Sequence, residues 1–97
     1  MRLLRQEDEA LRHALQGVDG EAYLYGSRTD PNQKGGDIDL LVLARVDSPY
    51  RLAQAIAVRF RMLCDEKIDV LVVNPDQMAT EQRAFLSLIR PHAVPFT

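Results

Sequence analysis

Near its start the chain places Leu4, Leu11, Ala14 and Leu15 at helical spacing between charged residues, and Gly17 follows as a stop. That periodicity predicts an amphipathic helix over residues 2–16, with acidic residues in its first turns to complement the helix dipole. After a turn at Val18-Asp19-Gly20 the pattern changes. Residues 21–25, Glu-Ala-Tyr-Leu-Tyr, have strand composition and end abruptly at Gly26-Ser27. Residues 28–36 are rich in turn formers and read as a loop, with Ser27 placed to cap a short helical turn. Residues 38–44 are an almost unbroken apolar run, which predicts a strand inside a sheet covered on one face by helices.

Ser48-Pro49 pairs an N-cap residue with proline at the first helical position, and Leu52, Ile56, Phe60 and Leu63 then mark one buried stripe to about Asp65. Residues 67–73 predict a second buried strand. A strand, a crossover helix and another strand make a parallel, right-handed unit, which sets Asp69 beside the start of the preceding strand. A last helix over residues 79–90 turns Phe85, Leu86 and Ile89 inward and is stopped by Pro91. Val94-Pro95-Phe96 predicts a short edge strand, where proline is tolerated. The expected fold is therefore α/β (α+β), a small mixed sheet flanked by helices in the order α-β-β-α-β-α-(β). Phe60, Met62, Phe85 and Cys64 are expected in the core, and His13 and His92 at the surface.

Composition changes this picture only by exclusion. The 97 residues make one domain, 1–97, with 46% hydrophobic and 27% charged residues and no repeat or low-complexity tract. A formal charge of −2 argues against a surface built to grip a nucleic-acid backbone. One cysteine makes neither an intramolecular disulfide nor a zinc site and suits a reducing compartment. The first residues lack the apolar core of a signal peptide, and no apolar run approaches the length of a membrane span, so the expectation is a cytoplasmic protein.

The chemistry concentrates where Tyr25-Gly26-Ser27-Arg28 is followed, across the loop, by Gly36-Asp37-Ile38-Asp39-Leu40. Residues two apart in a strand point to one side, so Asp37 and Asp39 present two carboxylates together while Ile38 turns away. Antiparallel pairing of the first two strands brings the Gly-Ser corner to the same place, and the crossover adds Asp69. Carboxylates gathered this closely disturb one another's ionisation unless a divalent cation lies among them, and magnesium prefers such oxygen ligands together with substrate phosphates. Gly26 lets a phosphate approach the backbone, Ser27 can donate to it, and Arg28 or Lys34 can neutralise outer phosphates. No Gly-Lys-Ser/Thr is present, so this is not a P-loop.

At these residues the chain resembles the nucleotidyltransferase superfamily that includes DNA polymerase β, most closely its minimal prokaryotic nucleotidyltransferases. The shared pattern is an apolar strand ending in Gly-Ser, a gap of this length, Asp-x-Asp, and a further Asp one helix later. The resemblance runs from Tyr23 to the final strand; Pro31 and Lys34-Gly35-Gly36 replace the more usual small-residue loop. It implies a mixed sheet flanked by helices, two magnesium ions, and transfer of a nucleoside monophosphate from a triphosphate such as ATP to a hydroxyl. Under it Asp37 and Asp39 hold both metals, Asp69 holds the catalytic one and helps activate the acceptor, and Gly26, Ser27 and Arg28 hold the nucleotide. The resemblance also implies a helical HEPN-domain partner, a ribonuclease toxin neutralised in a toxin-antitoxin pair by adenylylation of a tyrosine. The alternative is an antitoxin that masks its partner by contact without catalysis. Either way a partner or a second copy of the chain is expected to complete the cleft.

Overall fold

The computed structural model describes residues 3–29 and 37–96, with Ser27 and Arg28 described by their backbone alone. Helix α1 (Arg5–Ala14) opens with Glu7 Oε1 accepting the Leu4 backbone N–H at 2.9 Å, which satisfies one of the donors a helix start leaves unpaired. It is shorter at both ends than the periodicity predicts. Leu4 is extended and stands before the helix as its N-cap, while residues 15–17 form a turn that Gly17 leaves at φ 78°.

Strand β1 (Glu21–Tyr25) runs into a 3-10 turn, Gly26–Thr29. Strand β2 (Ile38–Leu43) pairs with β1 antiparallel, and strand β3 (Ile68–Val73) pairs with β2 parallel, as expected of a crossover through helix α2 (Pro49–Arg61). The short strand β4 (Val94–Pro95) lies antiparallel to the other side of β1, giving the order β3-β2-β1-β4. The expected mixed sheet and element order are both present.

The core is divided by the sheet. On one face Leu24, Ile38, Leu40, Val42 and Val72 meet Ala10, Leu11 and Ala14 of α1 and Ile56 and Phe60 of α2. On the other, Leu41 and Val73 meet Leu86 of helix α3 (Thr80–Ile89), with Tyr23, Tyr25, Leu43, Leu71 and Ile89 packed around them. The expectation of helices on one face is thus corrected: Leu41 and Leu43 alternate with Leu40 and Val42, and their apolar side chains need a cover of their own, which α3 supplies.

Helix α2 ends at Arg61, earlier than expected, so Leu63 and Met62 lie past the buried stripe and are exposed, while Cys64 returns to the core. Phe85 is also on the outer flank of α3, although its ring meets Tyr25 edge-on at 6.0 Å between centroids. A 3-10 turn containing Pro91, Arg90–His92, follows α3 and leads into β4. No helix among the described residues is long and apolar enough to cross a membrane.

Candidate functional site

Strand register builds the site. Tyr25 is the cross-strand partner of Asp39, and Asp39 is that of Asp69, so the three residues form one row across β1, β2 and β3. Side chains alternate along a strand, and Asp39 shares its face with Leu41 and Leu43, while Asp69 shares its face with Leu71 and Val73. The row therefore lies on the α3 face, at the end of the strands where β1 turns into the Gly26 corner. Asp37 stands one residue before β2, exposed, where Ile38 N–H donates to the Lys67 carbonyl at 3.0 Å.

Gly26 fits this place for two reasons. Its φ of 79° lies in the left-handed region that L side chains rarely adopt, and a Cβ built on it would stand 2.2 Å from Asp39 Oδ2. The Asp39 carboxylate thus rests on bare backbone at the corner. The link from sequence to site is direct: only a residue without a side chain leaves room for the Asp39 carboxylate where it lies against this corner.

Electrostatics follows the burial. Asp39, on the inner strand, is half-buried, and its carboxyl is pushed above the usual range by burial first, then by the charges of Asp69 and Asp37. Tyr25 is pushed up to about 12, again by burial first and then by Asp39 and Asp69. No ion pair among the described residues brings a cation to any of the three aspartates.

The structure sets Asp39 beside Asp69 and Gly26 against Asp39, and Asp37 lines one hollow with Asp69. The expected roles of the Ser27 and Arg28 side chains, and of Lys34, lie outside the described residues. Among the described residues no group of three or more His, Cys, Asp or Glu side chains is arranged to hold a metal ion. The donor chemistry nevertheless suits magnesium, which is usually held by one or two carboxylates while phosphates and water complete its shell. Burial does most to raise Asp39, and the repulsion from Asp69 and Asp37 that adds to it is what such a cation would relieve.

Two hollows flank the row. One of about 420 Å³ is lined by Asp37 and Asp69 together with Lys67, Arg61 and Cys64. The other, of about 570 Å³, is bounded by Tyr25 and Gly26. A larger one, of about 840 Å³, lies at the opposite end of the strands among Gly20, Ala44 and Arg45 and touches none of the three aspartates. Tyr25 is the residue sequence reasoning missed; its place directly before the Gly-Ser corner, two residues after Tyr23 on the same face, was the available signal.

No protein-family model matches the chain, and no curated protein matches it. Among solved structures it is similar to a crystal structure from Shewanella oneidensis, with 17% identity and a TM-score of 0.56. The match covers 93% of this chain and 65% of the length of the other. At that identity the likeness is one of fold: a very different sequence builds the same kind of small mixed sheet with helices around it.

Proposed function

We propose that the chain is a magnesium-dependent nucleotidyltransferase that moves a nucleoside monophosphate, AMP from ATP, onto a hydroxyl group. The observation that carries this reading is the row Tyr25-Asp39-Asp69 with Gly26 bare beneath the Asp39 carboxylate. Aligned carboxylates at one sheet end, next to a corner where backbone is open to a phosphate, are what phosphoryl chemistry asks of a protein. Asp37, Asp39 and Asp69 would hold the metal, and when bound it would neutralise the charge on the phosphates and sharpen the nucleophile.

The residues of the chain divide the remaining work. Gly26 and the following backbone seat the triphosphate, while Asp39 helps to hold the metal that would draw the phosphates to this end of the sheet. Asp69 is exposed on the outer strand and faces the hollow beside Asp37, where an acceptor has room. The acceptor oxygen attacks the α-phosphorus, the bond from that phosphorus to the bridging oxygen breaks, and pyrophosphate leaves. Asp69 helps to take up the hydroxyl proton. We place the acceptor on a protein partner, a tyrosine of a HEPN-domain toxin, so that transfer makes this chain an antitoxin. Incubation with magnesium, ATP and such a partner should raise the partner's mass by one nucleoside monophosphate. No gain on any partner while ATP and magnesium still bind would reject the reading.

A second reading is favoured by one observation. The described carboxylates are not closed around a common point, which suits a chain that masks its partner by contact alone. Full neutralisation of the partner by Asp37→Asn, with no transfer, would select it.

A further inference from the structure

This inference rests on the nucleotidyl-transfer reading above and concerns the hollow of about 570 Å³ on the Gly26 side of the row. Its size is that of a small-molecule site. Tyr25 and Gly26 bound it toward the carboxylates, and Leu88, Ile89 and Val94 supply apolar walls from α3 and β4. Thr29 and His92 supply its polar groups.

Folding accounts for only part of these walls, since Ile89 and Tyr25 also pack into the core on the α3 side. The core contact of α3 is made by Leu86, yet Leu88 is 74% exposed. Phe85, three residues before Leu88, meets the Tyr25 ring edge-on with an interplanar angle of 77°, and that ring stands between the carboxylates and the hollow. The Thr29 hydroxyl donates to the Gly26 carbonyl at 2.7 Å, which leaves its oxygen free to accept.

We propose that this hollow is the subsite for the base of the nucleotide, with flat apolar faces against Tyr25 and Leu88 and the polar edge of the heterocycle at Thr29 and His92. Gly26 connects the two parts, because it both abuts Asp39 and lines the hollow. A ligand with phosphates at that corner has its remaining mass within reach of these walls. An aliphatic group would waste the two polar residues, and a sugar would waste Leu88, Ile89 and Val94.

The test compares two probes by equilibrium binding in magnesium: ATP and inorganic tripolyphosphate. The parent chain should bind ATP at least about tenfold more tightly, the scale of one base stacking on an aromatic ring. Leu88→Asn and His92→Ala change exposed residues; each should cut ATP affinity several-fold and leave tripolyphosphate affinity unchanged. Equal affinity of the parent for both probes, or an ATP preference untouched by both variants, would overturn the subsite while leaving the transfer reading standing. Failure of both probes to bind would overturn the transfer reading and the subsite with it.

Discussion

The carboxylate of Asp39 covers Gly26 so closely that a methyl group on the glycine would stand 2.2 Å from Asp39 Oδ2. Gly26→Ala therefore meets two penalties, left-handed backbone strain of about 1–2 kcal/mol and steric overpacking of about 1–3 kcal/mol. Denaturant unfolding should show both in the parent background and only the backbone part in an Asp39→Ala background. The coupling in that double-mutant cycle measures the contact.

Asp39→Asn should move stability and activity in opposite directions. Burial, Asp69 and Asp37 raise the Asp39 carboxyl above its ordinary 3.8, so the folded state binds that proton more tightly than the unfolded chain. This group's contribution is most favourable below pH 3.8 and is lost as pH rises through the higher folded value. In a chelator at neutral pH the variant should melt above the parent, and the gap should close on acidification toward the ordinary value. Added magnesium should raise the melting temperature of the parent and not of the variant, while nucleotidyl transfer by the variant is abolished.

Tyr25 should titrate late. With its phenol pushed up to about 12 from 10.0, the unfolded chain releases this proton first, so stability falls as pH climbs between those values. Ultraviolet titration should show a phenolate transition near the upper value that Tyr25→Phe removes. Tyr23 is also raised, chiefly by its hydroxyl donating to the Glu21 carboxylate, and Tyr23→Phe is the control that separates the two.

Phe60 and Met62 lie two residues apart in sequence but in different environments. Phe60 is fully buried, and Phe60→Ala should cost about 3–5 kcal/mol. Met62 is 71% exposed, so Met62→Ala should stay within about 0.5 kcal/mol by the same denaturant measurement.

The contrast marks what could be read in advance. Strand alternation and the crossover rule were enough to set Asp39 beside Asp69 and to place the Gly-Ser corner against them, because both depend on local periodicity and chirality. The exposure of Met62, Leu63 and Phe85 was not readable, since a helical stripe gives the direction of a face without showing where the helix ends or which flank has cover. The second helical layer was missed for a related reason. Leu41 and Leu43 signalled two-sided burial, but their face also carries Asp39, and the run was read as one-sided. The contact between Asp39 and Gly26, and the place of Tyr25, depend on strand pairing at a resolution that spacing alone does not reach.

The in-register pairing of β2 with β3 has a consequence for how the site can fail. Ile38 opposes Ile68 just as Asp39 opposes Asp69, and neighbouring residues on each strand face opposite ways. A slip of one residue along either strand would turn its aspartate into the layer between the sheet and α1 and α2 and expel an isoleucine. The greasy face of the sheet is thus the gauge that spaces the carboxylates. The charged row exists only when the core beneath it is correctly seated, so a half-folded chain has no diminished version of this site to offer.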